Sequence, residues 1–140
     1  MGISNKNSEG YADPTPFEAV KQMEKDIFAF RPIVYICSPY AGDIEGNVNN
    51  ARRYSRVAVD MGYLPVAPHL LFPQFLNDNS LKERQLGMFF GNVLMSKCAE
   101  VWVCGETVSI GMKEEIERAR SKHYKLRFFD KEMKEVPSYA

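Results

Sequence analysis

From Ile33 onward the chain alternates short apolar runs with longer amphipathic stretches. Ile33-Val34-Tyr35-Ile36-Cys37 is β-branched and aromatic with apolar residues on both faces, the pattern of a central parallel strand. A helix is predicted from about Ile44 or Asn47 to Met61. Its spacing places Val48, Ala51, Ser55, Ala58 and Met61 or Gly62 inward, and Gly62 stops it. Residues 63–67 form a second short strand, and Pro65 within it points to a sheet edge. Residues 68–79 read as a loop with apolar positions and one helical turn, after which Ser80 caps a helix running to about Lys97. Residues 99–104 give a third strand. Ser109 caps a helix that buries Met112, Ile116 and Ala119, and residues 124–129 give a fourth strand. Strands alternating with helices imply right-handed crossovers and an α/β domain, with a mainly parallel sheet covered by helices on both faces.

The ends of the chain read differently. Residues 1–14 are polar and broken by Gly10 and Pro14, so a disordered lead is expected. Thr15-Pro16-Phe17-Glu18 is a capping box with proline at the first helical position. The helix it opens carries Phe17, Val20, Met23 and Ile27 on one stripe. The expected organisation is therefore a lead (1–14), an N-terminal helix (15–30), the main domain (31–130) and a polar tail (131–140).

In parallel sheets ligands bind beyond the carboxyl ends of the strands, which singles out residues 38–43, 68–72 and 105–109. The first exit carries Ser38, Tyr40 and Asp43, with Tyr35 just inside the strand. A strand tyrosine usually fills core, but its hydroxyl needs a partner when buried and can orient a carboxylate. The second exit carries His69, either a ligand contact or a structural hydrogen-bonding residue. At the third, Ser109 and Gly111 put a hydroxyl and a bare backbone at a helix N-terminus, where unpaired amides and the helix dipole suit an anion such as phosphate. A simple serine cap is the commoner use of that pattern. Further along the helix Glu115 sits at the margin of the buried face, and Glu114 points more outward. A carboxylate desolvated at a cleft mouth can act as nucleophile or base. Periodicity does not decide between the two. His123, beside Lys122, reads as a feature of the helix end.

Composition narrows the chemistry. Lys plus Arg and Asp plus Glu are 18 each, so no global field attracts polyanions, which argues against a nucleic-acid polymer as partner. The three cysteines, Cys37, Cys98 and Cys104, form no CxxC pair and lie in apolar segments. They read as reduced thiols in the cytoplasm, and a zinc site is not expected. The N-terminal residues lack the apolar core of a signal peptide, and no apolar run spans a bilayer. No metal or other cofactor is expected. Apolar material at residues 70–76 and 88–93 exceeds what one small body needs, so a homodimer or larger homo-oligomer is expected.

Tyr35-Ile36-Cys37-Ser38-Pro39, Ala99-Glu100-Val101-Trp102-Val103 and the run from Ser109-Ile110-Gly111-Met112 through Glu115-Ile116 to Ala119 resemble the nucleoside 2-deoxyribosyltransferase superfamily. That superfamily includes the deoxynucleoside 5'-monophosphate N-glycosidases. The likeness covers roughly residues 32–129, and the helix motif is its most specific part. It implies a Rossmann-like or flavodoxin-like three-layer sandwich on a four- to five-stranded, mainly parallel sheet. It also implies Glu115 as the nucleophile on the anomeric carbon of a deoxyribose, Tyr35 as the residue holding it, and Ser109 and Gly111 as phosphate contacts. His69 lies near a family histidine. The chain departs from the pattern at Asn92, where the family usually has an aspartate that assists the leaving base. Asparagine hydrogen-bonds a base but cannot donate a carboxyl proton. Either Asp43 or Glu83 substitutes, or leaving-group catalysis is weakened, or the chain binds nucleotides without cleaving them. The resemblance thus implies N-glycosidic cleavage or deoxyribosyl transfer on a deoxynucleoside or its monophosphate, the alternative being a non-catalytic nucleotide-binding or sensing module.

Overall fold

A computed structural model describes residues 16–138, so the expected lead and the Thr15 capping position lie outside the described residues. The chain divides into two units at Phe30/Arg31. In the first, helix α1 (Pro16–Ile27) buries no residue, and Phe17, Val20, Met23 and Ile27 are all exposed.

The second unit is an α/β three-layer sandwich. Its strands β1 (Ile33–Cys37), β2 (Leu64–Val66), β3 (Glu100–Cys104), β4 (Lys125–Phe129) and β5 (Glu135–Val136) form one sheet in the order β2-β1-β3-β4-β5. The first four are parallel, and β5 pairs antiparallel with β4. This is the flavodoxin-like order, in which the chain winds first to one side of β1 and then to the other. Pro65 stands opposite Val34 on the edge strand β2, where its missing N–H faces no neighbour. Strand β1 is central because both of its faces are apolar. Val34 and Ile36 enter one core with Tyr54, Ala58, Trp102, Cys104 and Phe129. Tyr35 and Cys37 enter the other with Met95, Val101, Val103, Met112, Ile116 and Ala119. The period of two along each strand thus feeds two separate cores.

Helix α2 (Ile44–Asp60) covers the first core, and α4 (Leu81–Ser96) and α5 (Ile110–Ser121) contribute to the second. Between β2 and α4 lie the short helix α3 (Pro68–Leu71) and a 3₁₀ turn at Phe72–Gln74. The buried residues of α2 are Ala51, Tyr54 and Ala58. Tyr54, rather than Ser55, takes the inward place, while the Ser55 hydroxyl donates back to the Ala51 carbonyl at 2.8 Å. Of the two positions offered for the last inward place, Met61 caps the helix and is exposed, and Gly62 is exposed as well. Gly105 follows β3 with φ +110°, and a Cβ there would also press on the Tyr54 hydroxyl at 3.3 Å. His123 takes φ +60° just past α5, at the helix end where the sequence put it.

Part of the segment read as polar tail is structured. Asp130 accepts from the backbone amides of Glu132 and Lys134, Met133 takes φ +63°, and the resulting turn lays β5 against β4. Arg127 clamps it, donating from Nε and Nη2 to the two carboxylate oxygens of Glu135 at 3.1 and 2.9 Å. The same guanidinium donates from Nη1 to Glu100 at 3.1 Å, and the Trp102 indole donates to that carboxylate at 2.8 Å. Glu100 is 8% exposed, so these donors are what allow a charge to be buried there.

Candidate active site

The winding reverses between β1 and β3, and their carboxyl ends open side by side. In an open α/β sheet that switch point is where a crevice forms. Tyr35, midway along β1, and Glu115 of α5 meet beside the switch-point strand β1, on the face of the sheet that α5 covers. The Tyr35 hydroxyl donates a hydrogen bond to the Glu115 carboxylate, and the ring is 3% exposed. Burial pushes the Glu115 carboxyl up to about 7. The Tyr35 hydrogen bond holds it down, and the neighbouring Glu114 charge pushes it further up. Desolvation wins over the single hydrogen bond, so the group changes charge near neutrality. Burial, then the Glu115 charge, raises the Tyr35 phenol far above its ordinary range, so it remains a donor. The side chains at this spot settle which glutamate is withdrawn from water: Glu114 is exposed, and Glu115 is not.

Cys37 lies two residues along β1 from Tyr35, fully buried, and its thiol is pushed well up by burial and then by the Glu115 charge. It is therefore a neutral neighbour of the carboxylate. Sequence reasoning placed Cys37 in the core without connecting it to Glu115. The alternation that sends residues 35 and 37 to one face was the available signal. Ser38 follows directly and is buried.

The rest of the first exit is an ordered turn. Asn47 of α2 donates from its side-chain amide to the Tyr40 and Ala41 carbonyls at 2.9 and 3.1 Å. The Tyr40 ring stacks on His69 from the second exit, with centroids 5.0 Å apart and planes 22° from parallel. Burial lowers the His69 pKa from its ordinary value, against an opposing pull from Asp78. The stack joins two exits that are far apart in sequence. Asn47 was not singled out from the sequence, since an asparagine early in a helix reads as a solvated position.

The third exit supplies the start of α5. The Ser109 hydroxyl accepts from the Met112 amide at 3.2 Å, so it does cap the helix. Gly111 is exposed, and a Cβ there would meet nothing within 4 Å, which leaves the first turn of α5 bare. Asp43 caps α2 by accepting from the Gly46 amide at 3.1 Å, and Glu83 accepts from the Asn77 amide at 3.0 Å. Both acids weighed as substitutes at Asn92 are thus bound to backbone amides. Asn92 is partly exposed on α4. It directly follows Gly91, whose backbone lies against the Tyr35 hydroxyl. Among the described residues no group of three or more His, Cys, Asp or Glu side chains is arranged to hold a metal ion. No helix among them is long and apolar enough to cross a membrane.

Among solved structures, a 2-deoxyribosyltransferase from the psychrotolerant bacterium Bacillus psychrosaccharolyticus is similar, with a TM-score of 0.60 at 13% sequence identity. The likeness covers 70% of this chain and 72% of that one and is a likeness of fold. No curated protein matches the chain in sequence. Residues 32–129 match the family described as domain of unknown function DUF7768, and the chain belongs to that family.

Proposed function

We propose that the protein cleaves or transfers the N-glycosidic bond of a deoxynucleoside or deoxynucleoside monophosphate, as a member of the nucleoside 2-deoxyribosyltransferase superfamily. The observation that carries this reading is the Tyr35–Glu115 pair beside the switch-point strand β1, with a desolvated carboxyl that ionises near pH 7. The fold shared with a 2-deoxyribosyltransferase supports it.

In the proposed reaction the ionised Glu115 attacks the anomeric carbon. A carboxylate oxygen bonds to that carbon while the carbon–nitrogen bond breaks and its electron pair leaves with the base, which takes a proton from solvent. The developing oxocarbenium charge is stabilised by the carboxylate it meets. Tyr35 holds the attacking group in one orientation. Water then adds at the anomeric carbon, loses a proton and frees the sugar and Glu115. A second base in place of water completes a transfer. Ser109 and Gly111 would receive a 5'-phosphate at the start of α5. Ser38, Tyr40, Asp43 and His69 would line the nucleoside, and Asn92 would hydrogen-bond the leaving base.

Incubation with each deoxynucleoside and deoxynucleotide, followed by chromatography of free base, tests the proposal. Base release that vanishes in Glu115→Ala is expected. No release from any of them, or full activity in that variant, refutes it.

Asn92 favours a second reading, a nucleotide-binding module that does not turn its ligand over. Calorimetry separates the two: tight binding with no free base supports the second, and no binding to any nucleotide excludes it. We also place two copies together in solution, because Leu71, Phe75, Leu86, Met88, Phe89 and Val93 are exposed apolar side chains within residues 71–93. Apolar area of that kind marks an interaction surface. A monomeric mass by light scattering would refute this. The three free thiols fit a reducing compartment, the cytoplasm.

A further inference from the structure

The Tyr35 hydroxyl has a second neighbour besides Glu115. A Cβ placed on Gly91 of α4 would stand 3.3 Å from the hydroxyl oxygen, closer than ordinary van der Waals contact. Gly91 is buried in the interior of a 16-residue helix, where alanine is the better helix former. It is not among the glycines with positive φ, so its backbone conformation gives no reason for glycine. The space does. Tyr35 has little freedom to give way, because its ring is buried and its strand is paired with β2 on one side and β3 on the other.

We infer that Gly91 is a positioning residue: its bare backbone fixes where the Tyr35 hydroxyl stands, and through that hydroxyl the orientation of the Glu115 carboxylate. Helix α4 thereby sets the geometry of a pair supplied by β1 and α5. An added methyl group must displace the hydroxyl or the helix by a few tenths of an ångström, and hydrogen bonds weaken steeply as they leave alignment. The titratable groups around the pair are Cys37 from β1, Glu114 from α5 and Cys98 just after α4. None of them is altered by a change at position 91.

The inference rests on the Tyr35–Glu115 pair of the proposed function, but one of its readouts needs no substrate. The full-length protein, Gly91→Ala, Tyr35→Phe and the double variant are compared by carbon-13 NMR titration of the Glu115 carboxyl, and by the pH dependence of base release. Tyr35→Phe raises the Glu115 midpoint by removing the donor. Gly91→Ala raises it in the same direction, by about half a unit or more. In the Tyr35→Phe background the same substitution has room, and moves the midpoint by less than half as much. A Glu115 midpoint unchanged by Gly91→Ala, or an equal effect in both backgrounds, overturns the inference, because helix packing alone does not depend on the hydroxyl. Should Gly91→Ala unfold the protein, restored folding in the double variant supports the contact and failure to restore it overturns it. A shifted titration in a protein that releases no base upholds the positioning and refutes the glycosidic reading. Base release with an unshifted titration does the reverse.

Discussion

Glu115 sits where folding must withdraw a carboxyl from water, and the consequence for stability follows by linkage. In the unfolded chain the group titrates at its ordinary value of 4.5, and in the folded protein at about 7. Below pH 4.5 both states are protonated, and burial of the carboxyl carries no charge penalty. Between 4.5 and 7 the unfolded chain gives up its proton while the folded protein keeps it, so stability falls as pH rises. Above 7 both states are ionised and the penalty is complete. At roughly 1.4 kcal/mol per unit, and with some relief because Glu115 keeps partial exposure, the ionised side chain destabilises the fold by about 2–3 kcal/mol. That is a large part of the 5–15 kcal/mol or so that holds a small domain together. Glutamine has the same shape, carries no charge and still accepts from the Tyr35 hydroxyl through its amide oxygen. Glu115→Gln is therefore expected to match the parent at pH 4 and to exceed it by about 2–3 kcal/mol at pH 8. Urea unfolding of both proteins across that range measures the difference directly. A variant no more stable than the parent at pH 8, or a difference that does not change with pH, would show that the carboxyl is not desolvated in the folded state. Such a carboxyl would already be ionised at pH 5 and would have no raised pKa to bring to the reaction.

Base release should climb with pH along a limb centred near 7, where Glu115 ionises; a pH–rate profile already flat at pH 5 would exclude that carboxylate as the attacking group. Arg127→Ala should destabilise the fold by about 3 kcal/mol, because it leaves the buried Glu100 charge without the half-buried guanidinium that pairs with it, and a loss under ~0.5 kcal/mol on thermal unfolding would contradict this. Burial raises the Glu100 carboxyl, but hydrogen bonds from Trp102 and Arg127 outweigh it, leaving its pKa below the ordinary 4.5. Its contribution is therefore present above that value and lost as pH falls through the folded-state value. Burial holds His69 below its ordinary 6.5, so its ring carbons should titrate below pH 6.5 by NMR, and a midpoint above 6.5 would place the ring in solvent.

Much of the sheet was legible because strands write their burial into composition. A run with no polar face, such as residues 33–37, can sit only between two cores, and a proline in a strand can sit only where no ladder bond is missed. Helix α5 was equally plain, since Met112, Ile116 and Ala119 recur at three- and four-residue intervals. The same rule misled at α2, where positions 54 and 55 both satisfy the spacing. Tyr54 takes the inward place because a glycine backbone after β3 gives its hydroxyl room, and that fact lies fifty residues away. Strand β5 has two residues and is held by Arg127 and Glu135, so no hydrophobic signal announces it. Site residues were legible as positions at strand exits and not as relations. The Tyr40–His69 stack and the approach of Gly91 to Tyr35 join segments whose distance in the fold no local pattern encodes, and the tie from Asn47 to the Tyr40 and Ala41 carbonyls, though local, looks in the sequence like a solvated helix position.

Asn92 bears on how Glu115 would have to work. In the proposed reaction one group must attack as an anion while another gives the departing base a proton, and a site normally separates these roles by holding two acids at different pKa values. Here Asn92 has no proton to give, Asp43 and Glu83 are each bound to a backbone amide, and Glu115 cannot serve both roles in one turnover. The proton must then come from solvent. That arrangement suffices only where the bond breaks easily without help, and a sugar lacking its 2'-hydroxyl meets the condition because its cation is less destabilised. A ribonucleoside would not meet it. The missing acid therefore makes the proposed chemistry selective for deoxyribose by default, through the intrinsic strength of the bond, so that no residue is needed to read the 2'-position. It also explains why the binding module is the natural rival: the same site, offered a ribonucleotide, would hold it and leave it intact.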